Sequence, residues 1–213
     1  PLRKATLHFW GYRAMNLRTT DLPAAPPVRG RTPLVATGFT VAAMLMYFAG
    51  VFGVYLKERA QVRAEGSSWI PNKVTIELTQ PGMVIWTLLI SIVVMQWAVY
   101  SIKRDDRQHA LLAIGTTVVM GAMVVVQTAW HLSQTNLVAD EGPTTAATLI
   151  YTIVGSYLVA IVIGMIILLL TGFRTLAGQY GSHQTDGVVA ASLYWYSLVF
   201  IYFIIWIAVF IAK

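Results

Sequence analysis

Four histidines, His8, His109, His131 and His183, are the side chains of this 213-residue sequence best suited to hold a haem or a transition metal, and the chain has no cysteine. Without a thiol it can build no thiolate metal site, disulfide, iron–sulfur cluster or cysteine nucleophile. Haem or copper inside a membrane needs imidazoles on facing helices. His109 and His131 flank one apolar run 22 residues apart, which is about 33 Å along a helix. They fall at opposite membrane surfaces and cannot share a ligand. His8 and His183 lie outside the apolar runs, so all four read as solvated or interfacial side chains. The chain is expected to bind no metal and no cofactor of its own.

The other groups able to do chemistry inside a membrane are ionisable residues within the spans, the usual mark of transporters, pumps and proton channels. Here they are missing. Five runs, 34–56, 82–102, 110–133, 147–172 and 190–212, contain no Asp, Glu, Lys or Arg, and His131 sits only at the edge of the third. Gln96 and Gln127 are the strongest polar groups within them, and each is expected to hydrogen-bond a neighbouring helix. No span is broken by Pro and Gly at mid-membrane, which would point to a transporter site. A chain of this kind is expected to act as a subunit, through a surface presented to a partner.

Each of the five runs is long enough to cross about 30 Å of hydrocarbon as a helix. The composition agrees, with 57% hydrophobic and 11% charged residues where a soluble domain carries roughly 25% charged. The expected fold is all-α: a polytopic membrane bundle of five transmembrane helices over 34–213, preceded by a basic interfacial segment at 1–33.

That segment mixes Arg3, Lys4, Arg13 and Arg18 with Leu2, Leu7, Phe9, Trp10 and Tyr12, which suits an anionic membrane surface. It is too basic and interrupted for a signal-peptide core. Pro23, Pro26, Pro27 and Pro33 then favour an extended, stiff spacer. The net charge of +6 comes from residues beside the spans, so membrane topology explains it and no nucleic-acid partner is expected. Ten of the fifteen Lys and Arg residues lie on the N-terminal side of the membrane and five on the other. The N-terminus is therefore expected in the cytoplasm and the C-terminus outside.

Small residues mark where helices can approach closely. Ser156, Ala160 and Gly164 recur every four residues in the fourth span, and Gly38 with Ala42 and Ala49 with Gly53 do so in the first. In the last span, Tyr194, Trp195 and Tyr196 near the start suit an interfacial aromatic belt. Tyr202, Phe203 and Trp206 fall deeper and are expected to pack on a neighbour.

Several stretches resemble subunit III of the haem–copper terminal oxidases. LMYFAGVFGVYLKERAQ at 45–61 is similar to the family's Glu-Leu-Met-Phe-Phe-Ala-Gly helix, and Trp69-Ile70-Pro71 follows where the family has an aromatic-Pro loop. Leu193-Tyr194-Trp195-Tyr196 is similar to the family's Tyr-Trp-His-Phe opening, and Gln127 falls where the family has a Gln leading into Glu-Tyr. Five spans resemble the shorter bacterial form. The departures are systematic: Met44 stands for a buried Glu, Trp130-His131 for the Glu-Tyr, and Gly155 and Leu158 for paired histidines. The last opening ends at Val199 where the family has Asp.

The resemblance implies a non-catalytic component of a bacterial cytochrome c oxidase, packed against oxidase subunits I and II and holding structural phospholipid. Haem and copper would sit in those partners, and further respiratory-chain subunits could join. The lost polar groups put in doubt any part in feeding protons to the oxidase. The candidate packing and subunit-contact residues are Gly38, Ala42, Ala49, Gly53, Ser156, Ala160, Gly164, Gln127, Tyr194 and Trp195. Other readings are a subunit of a nitric oxide reductase or similar respiratory complex, a small homo-oligomeric transporter or channel, and a stand-alone b-type cytochrome.

Overall fold

The computed structural model describes residues 31–69, 78–134 and 144–211. The basic aromatic stretch at 1–20, most of the proline spacer, Ile70-Pro71 and Lys213 lie outside them. Among the described residues, five helices are long and apolar enough to cross a membrane. They are α1 (Thr32–Ala64), α2 (Thr79–Lys103), α3 (Arg107–Gln134), α4 (Thr145–Leu176) and α5 (Asp186–Ile205), and α5 runs on as a π-helical turn over Trp206–Ile211.

Every helix outlasts its uncharged run at one end or both. α1 continues through Lys57, Glu58 and Arg59 to Ala64, because charge ends the hydrocarbon-compatible stretch but not the helix, and these are good helix formers. Pro33 sits in the first turn of α1, where its missing N–H costs nothing. Thr144 caps α4, its side chain accepting from the Ala147 N–H at 3.2 Å.

Three helices finish with the same closure. Ser67 N–H reaches Val62 O, Asp106 N–H reaches Ser101 O, and Gln179 N–H reaches Arg174 O, each with a shorter bond nested inside it. The left-handed residue at the turn is Gly66 after α1 and Gly178 after α4, but Asp105, at φ 63°, after α2. A carboxylate residue tolerates that backbone better than most. It also leaves a side chain at the turn that glycine could not supply.

The connections after α2 and α3 make antiparallel neighbours, so α2 packs on α3 and α3 on α4, whereas α1 packs on α5 and α4. α5 is the hub, touching α1, α2 and α4. Half of its most apolar stretch is buried inside the chain, against 22% for α1. One core runs through the bundle, from Phe48, Phe52 and Tyr55 of α1 to Trp195, Leu198 and Ile201 of α5.

Candidate functional site

Most Ser and Thr hydroxyls among the described residues turn back to a carbonyl of their own helix, and the side-chain hydrogen bonds between helices come from α5. Three consecutive residues reach outward from it. Tyr194 donates from its hydroxyl to the Ala160 carbonyl of α4 at 3.1 Å, Trp195 from Nε1 to Ser91 Oγ of α2 at 2.9 Å, and Tyr196 from its hydroxyl to Gln96 Oε1 of α2 at 2.7 Å. Tyr194 and Trp195 are buried, so neither forms the interfacial belt expected of them. The reason is facing: the two side chains turn into the bundle, where Tyr194 meets α4 and Trp195 meets α2, instead of outward to lipid.

The hub needs glycine opposite its large rings. A Cβ on Gly164 would stand 2.8 Å from Leu198 Cδ1 and 3.0 Å from Tyr194 Cε1, and one on Gly121 would stand 2.8 Å from Trp195 Cη2. Ala160 is buried beside them, while Ser156 is half-buried with its hydroxyl turned to the Ile153 carbonyl at 3.0 Å. Ala160 and Gly164 thus lie along the α4 side of the contact with α5.

The matching residues of α1 lie elsewhere. Ala42, Ala49 and Gly53 are exposed, Gly38 is half-buried, and a Cβ on Gly38 or Gly53 would meet nothing within 4 Å. Small-residue spacing therefore marks two different surfaces in one chain, a filled seam on α4 and an open one on α1. Of the deeper aromatics, Tyr202 is buried against Tyr157 at 5.2 Å between ring centroids, and Trp206 is partly buried. Phe203 is 43% exposed and leans on Trp206 of its own helix.

Gln127 is half-buried, and its Oε1 is shielded from solvent without a hydrogen-bond partner among the described residues. That differs from the expected bond to a neighbouring helix, which Gln96 does make. His131 differs too. It is buried at 9% exposure with Phe210 edge-on at 5.6 Å, because the π-helical turn carries Phe210 over it. His109 keeps the expected surface place, its Nδ1 2.6 Å from Asp106 Oδ2, and His183 is exposed. Among the described residues no group of three His, Cys, Asp or Glu gathers as metal ligands.

At the end of the bundle that holds the α2–α3 turn, Asp105 reaches across to the α4–α5 connection. It accepts from the Ser182 N–H at 3.0 Å and from the Ser182 hydroxyl at 3.2 Å. The two bonds from Ser182, helped by Arg107 and His183 nearby, hold its carboxyl below the usual carboxylate range. Asp106 is lowered as well, chiefly by the backbone N–H of His109. Sequence reasoning missed Ser91, Gly121 and this clasp. Gly121 carried the one usable signal, a glycine set among Val and Met in the middle of the third span.

With this geometry in hand, the chain can be set beside known proteins. A sequence profile of the family described as cytochrome c oxidase subunit III matches residues 29–212. Similar proteins include a probable cytochrome c oxidase subunit 3 of Mycobacterium tuberculosis, 26% identical over 183 residues, covering 84% of this chain and 87% of that one. Cytochrome c oxidase subunit 3 of Bos taurus is 24% identical over 188 residues, covering 84% of this chain and 71% of the relative. That of Strongylocentrotus purpuratus is 23% identical over 175 residues, covering 79% and 65%, so this chain spans less than two thirds of the sea-urchin protein. The profile takes in the whole bundle, α5 hub and open α1 face alike, and the chain, a multi-pass helical membrane protein, belongs to the cytochrome c oxidase subunit III family.

Proposed function

We propose that this chain is a non-catalytic subunit of a bacterial respiratory terminal oxidase, packing against the subunits that carry haem and copper and stabilising them. It sits in the plasma membrane with its N-terminus in the cytoplasm, and phospholipid fills part of the surface between it and its partners. Electron transfer to oxygen belongs to those partners.

The observation that carries the reading, beside family membership, is the division of small residues. The α4 seam is spent inside the chain, whereas on α1 Ala42, Ala49 and Gly53 are exposed, Gly38 is half-buried, and a Cβ at Gly38 or Gly53 meets nothing within 4 Å among the described residues. Such a face lets another helix approach closely in lipid, where packing rather than water exclusion drives association. The polar side chains of α5 are meanwhile engaged in holding the bundle together.

The test is to tag the C-terminus, extract the chain in mild detergent, and record the optical spectrum and the co-purifying proteins. Haem bands with a large histidine-rich membrane subunit in about equal amount support the reading. A colourless chain that elutes alone or as a homo-oligomer overturns it and makes transport the function to test.

A further inference from the structure

Where α2 begins and α3 ends, the bundle keeps a small cavity lined among others by Gln80 of α2, Gln127 and Thr128 of α3, and Tyr202 of α5, with His131 at its border. Gln80 Oε1, Gln127 Oε1 and Thr128 Oγ1 are all shut off from solvent and have no hydrogen-bond partner among the described residues. Thr128 is only 6% exposed. Its hydroxyl is unusual, because Thr117, Thr171 and Thr175 each turn theirs back to the carbonyl four residues earlier, at 2.8–2.9 Å.

The chemistry of these atoms restricts what can lie among them. Two amide oxygens only accept, so they cannot satisfy each other, and a species between them must supply donors. Three neutral oxygens in an apolar surround cannot offset the cost of bringing a bare cation out of water. The space holds about one water-sized sphere. A water has two donors for the two amides and a lone pair for the threonine hydroxyl, which gives it the usual number of partners for a buried site.

We propose that this cavity is a binding site for one structural water, which donates to Gln80 Oε1 and Gln127 Oε1 and accepts from the Thr128 hydroxyl. The water ties the first turn of α2 to the last turns of α3 at the end of the bundle away from the Asp105 clasp. It also gives Gln127 a role that direct helix–helix contact does not provide.

Two measurements test this. The first is a structure of the chain, purified with whatever subunits accompany it, at a resolution that shows ordered water. A density peak within about 2.7–3.2 Å of both amide oxygens is expected, and a cavity without such a peak overturns the proposal. The second is a thermal-unfolding cycle on Gln80→Met, Gln127→Met and the double variant. Each single substitution strands the other acceptor and lowers Tm by about 2–4 °C. The double variant strands neither and should melt no lower than the worse single. Additive losses would mean that no bridge couples the two residues.

Discussion

The indole of Trp195 donates to the Ser91 hydroxyl at 2.9 Å, and Ser91 in turn donates to the Leu88 carbonyl of its own helix at 2.6 Å. Both side chains are almost wholly buried, so a single relay fixes the rotation of α5 against α2. Ser91 cannot be removed without stranding the Trp195 N–H in an apolar interior.

Ser91→Ala leaves the Trp195 N–H without an acceptor, which should cost about 1–3 kcal/mol. Thermal unfolding of the detergent-solubilised protein measures it. Adding Trp195→Phe to Ser91→Ala should show strong coupling between the two positions, and independent, additive losses would mean the bond contributes nothing.

Gly164→Leu forces a side chain into the space held by Leu198 and Tyr194. Overpacking of this kind typically costs about 1–3 kcal/mol, and here it also loosens α4 from α5. Reduced recovery and lower thermal stability of the assembled protein are expected. Unchanged yield and melting would show that the seam has slack the distances do not reveal.

Gly53→Leu on α1 should behave differently, because Gly53 is exposed and a Cβ there meets nothing within 4 Å among the described residues. Stability of the chain by itself should hold while partner subunits are lost on purification. If partners are retained at wild-type ratio, the open face of α1 is a lipid face and not a subunit contact.

Acid should release the Asp105 clasp. The carboxyl is held below its ordinary value in the folded chain. Its contribution is therefore complete above the unfolded value of about 3.9 and is lost as pH falls through the lower, folded value. Asp105→Asn should flatten that acid limb of a melting-temperature profile by lowering the melting temperature near neutrality, where the carboxylate's contribution is complete, and should converge on the wild type in acid. An unaltered acid limb would place the sensitivity elsewhere.

His131→Ala should leave oxygen reduction by the assembled complex intact, since the ring is packed on Phe210 and no described cluster of metal-binding residues includes it. Oxygen uptake per haem is the measurement. A fall at normal subunit content would give this histidine a part in turnover.

Much of the fold could be read from the chain because crossing a membrane is a local property. An uncharged run of about 20 residues is enough to require a helix there, and the runs beginning at Leu34, Gly82, Ala110, Ala147 and Ala190 all fall within observed spans. The separation of His109 from His131 follows from helix rise alone and holds in α3. The site was less legible. Ala49 and Gly53 have the same residue types and spacing as Ala160 and Gly164, yet one pair is exposed and the other buried. Tyr194 and Trp195 looked interfacial because aromatic rings near the start of a span suit that belt, and nothing local told that both rings turn inward to α4 and α2.

By itself the sequence determined that the chain is a five-helix membrane bundle without thiol chemistry, and its motifs carried the family resemblance. Only the tertiary structure decided which face of each helix turns inward, that Trp195 rests against Gly121 and bonds Ser91, and that Asp105 closes on Ser182 from 77 residues away. In water an apolar stripe announces the buried face of a helix. In lipid the outward face is as apolar as the inward one, so that signal vanishes, and burial is settled by which side chains fit together.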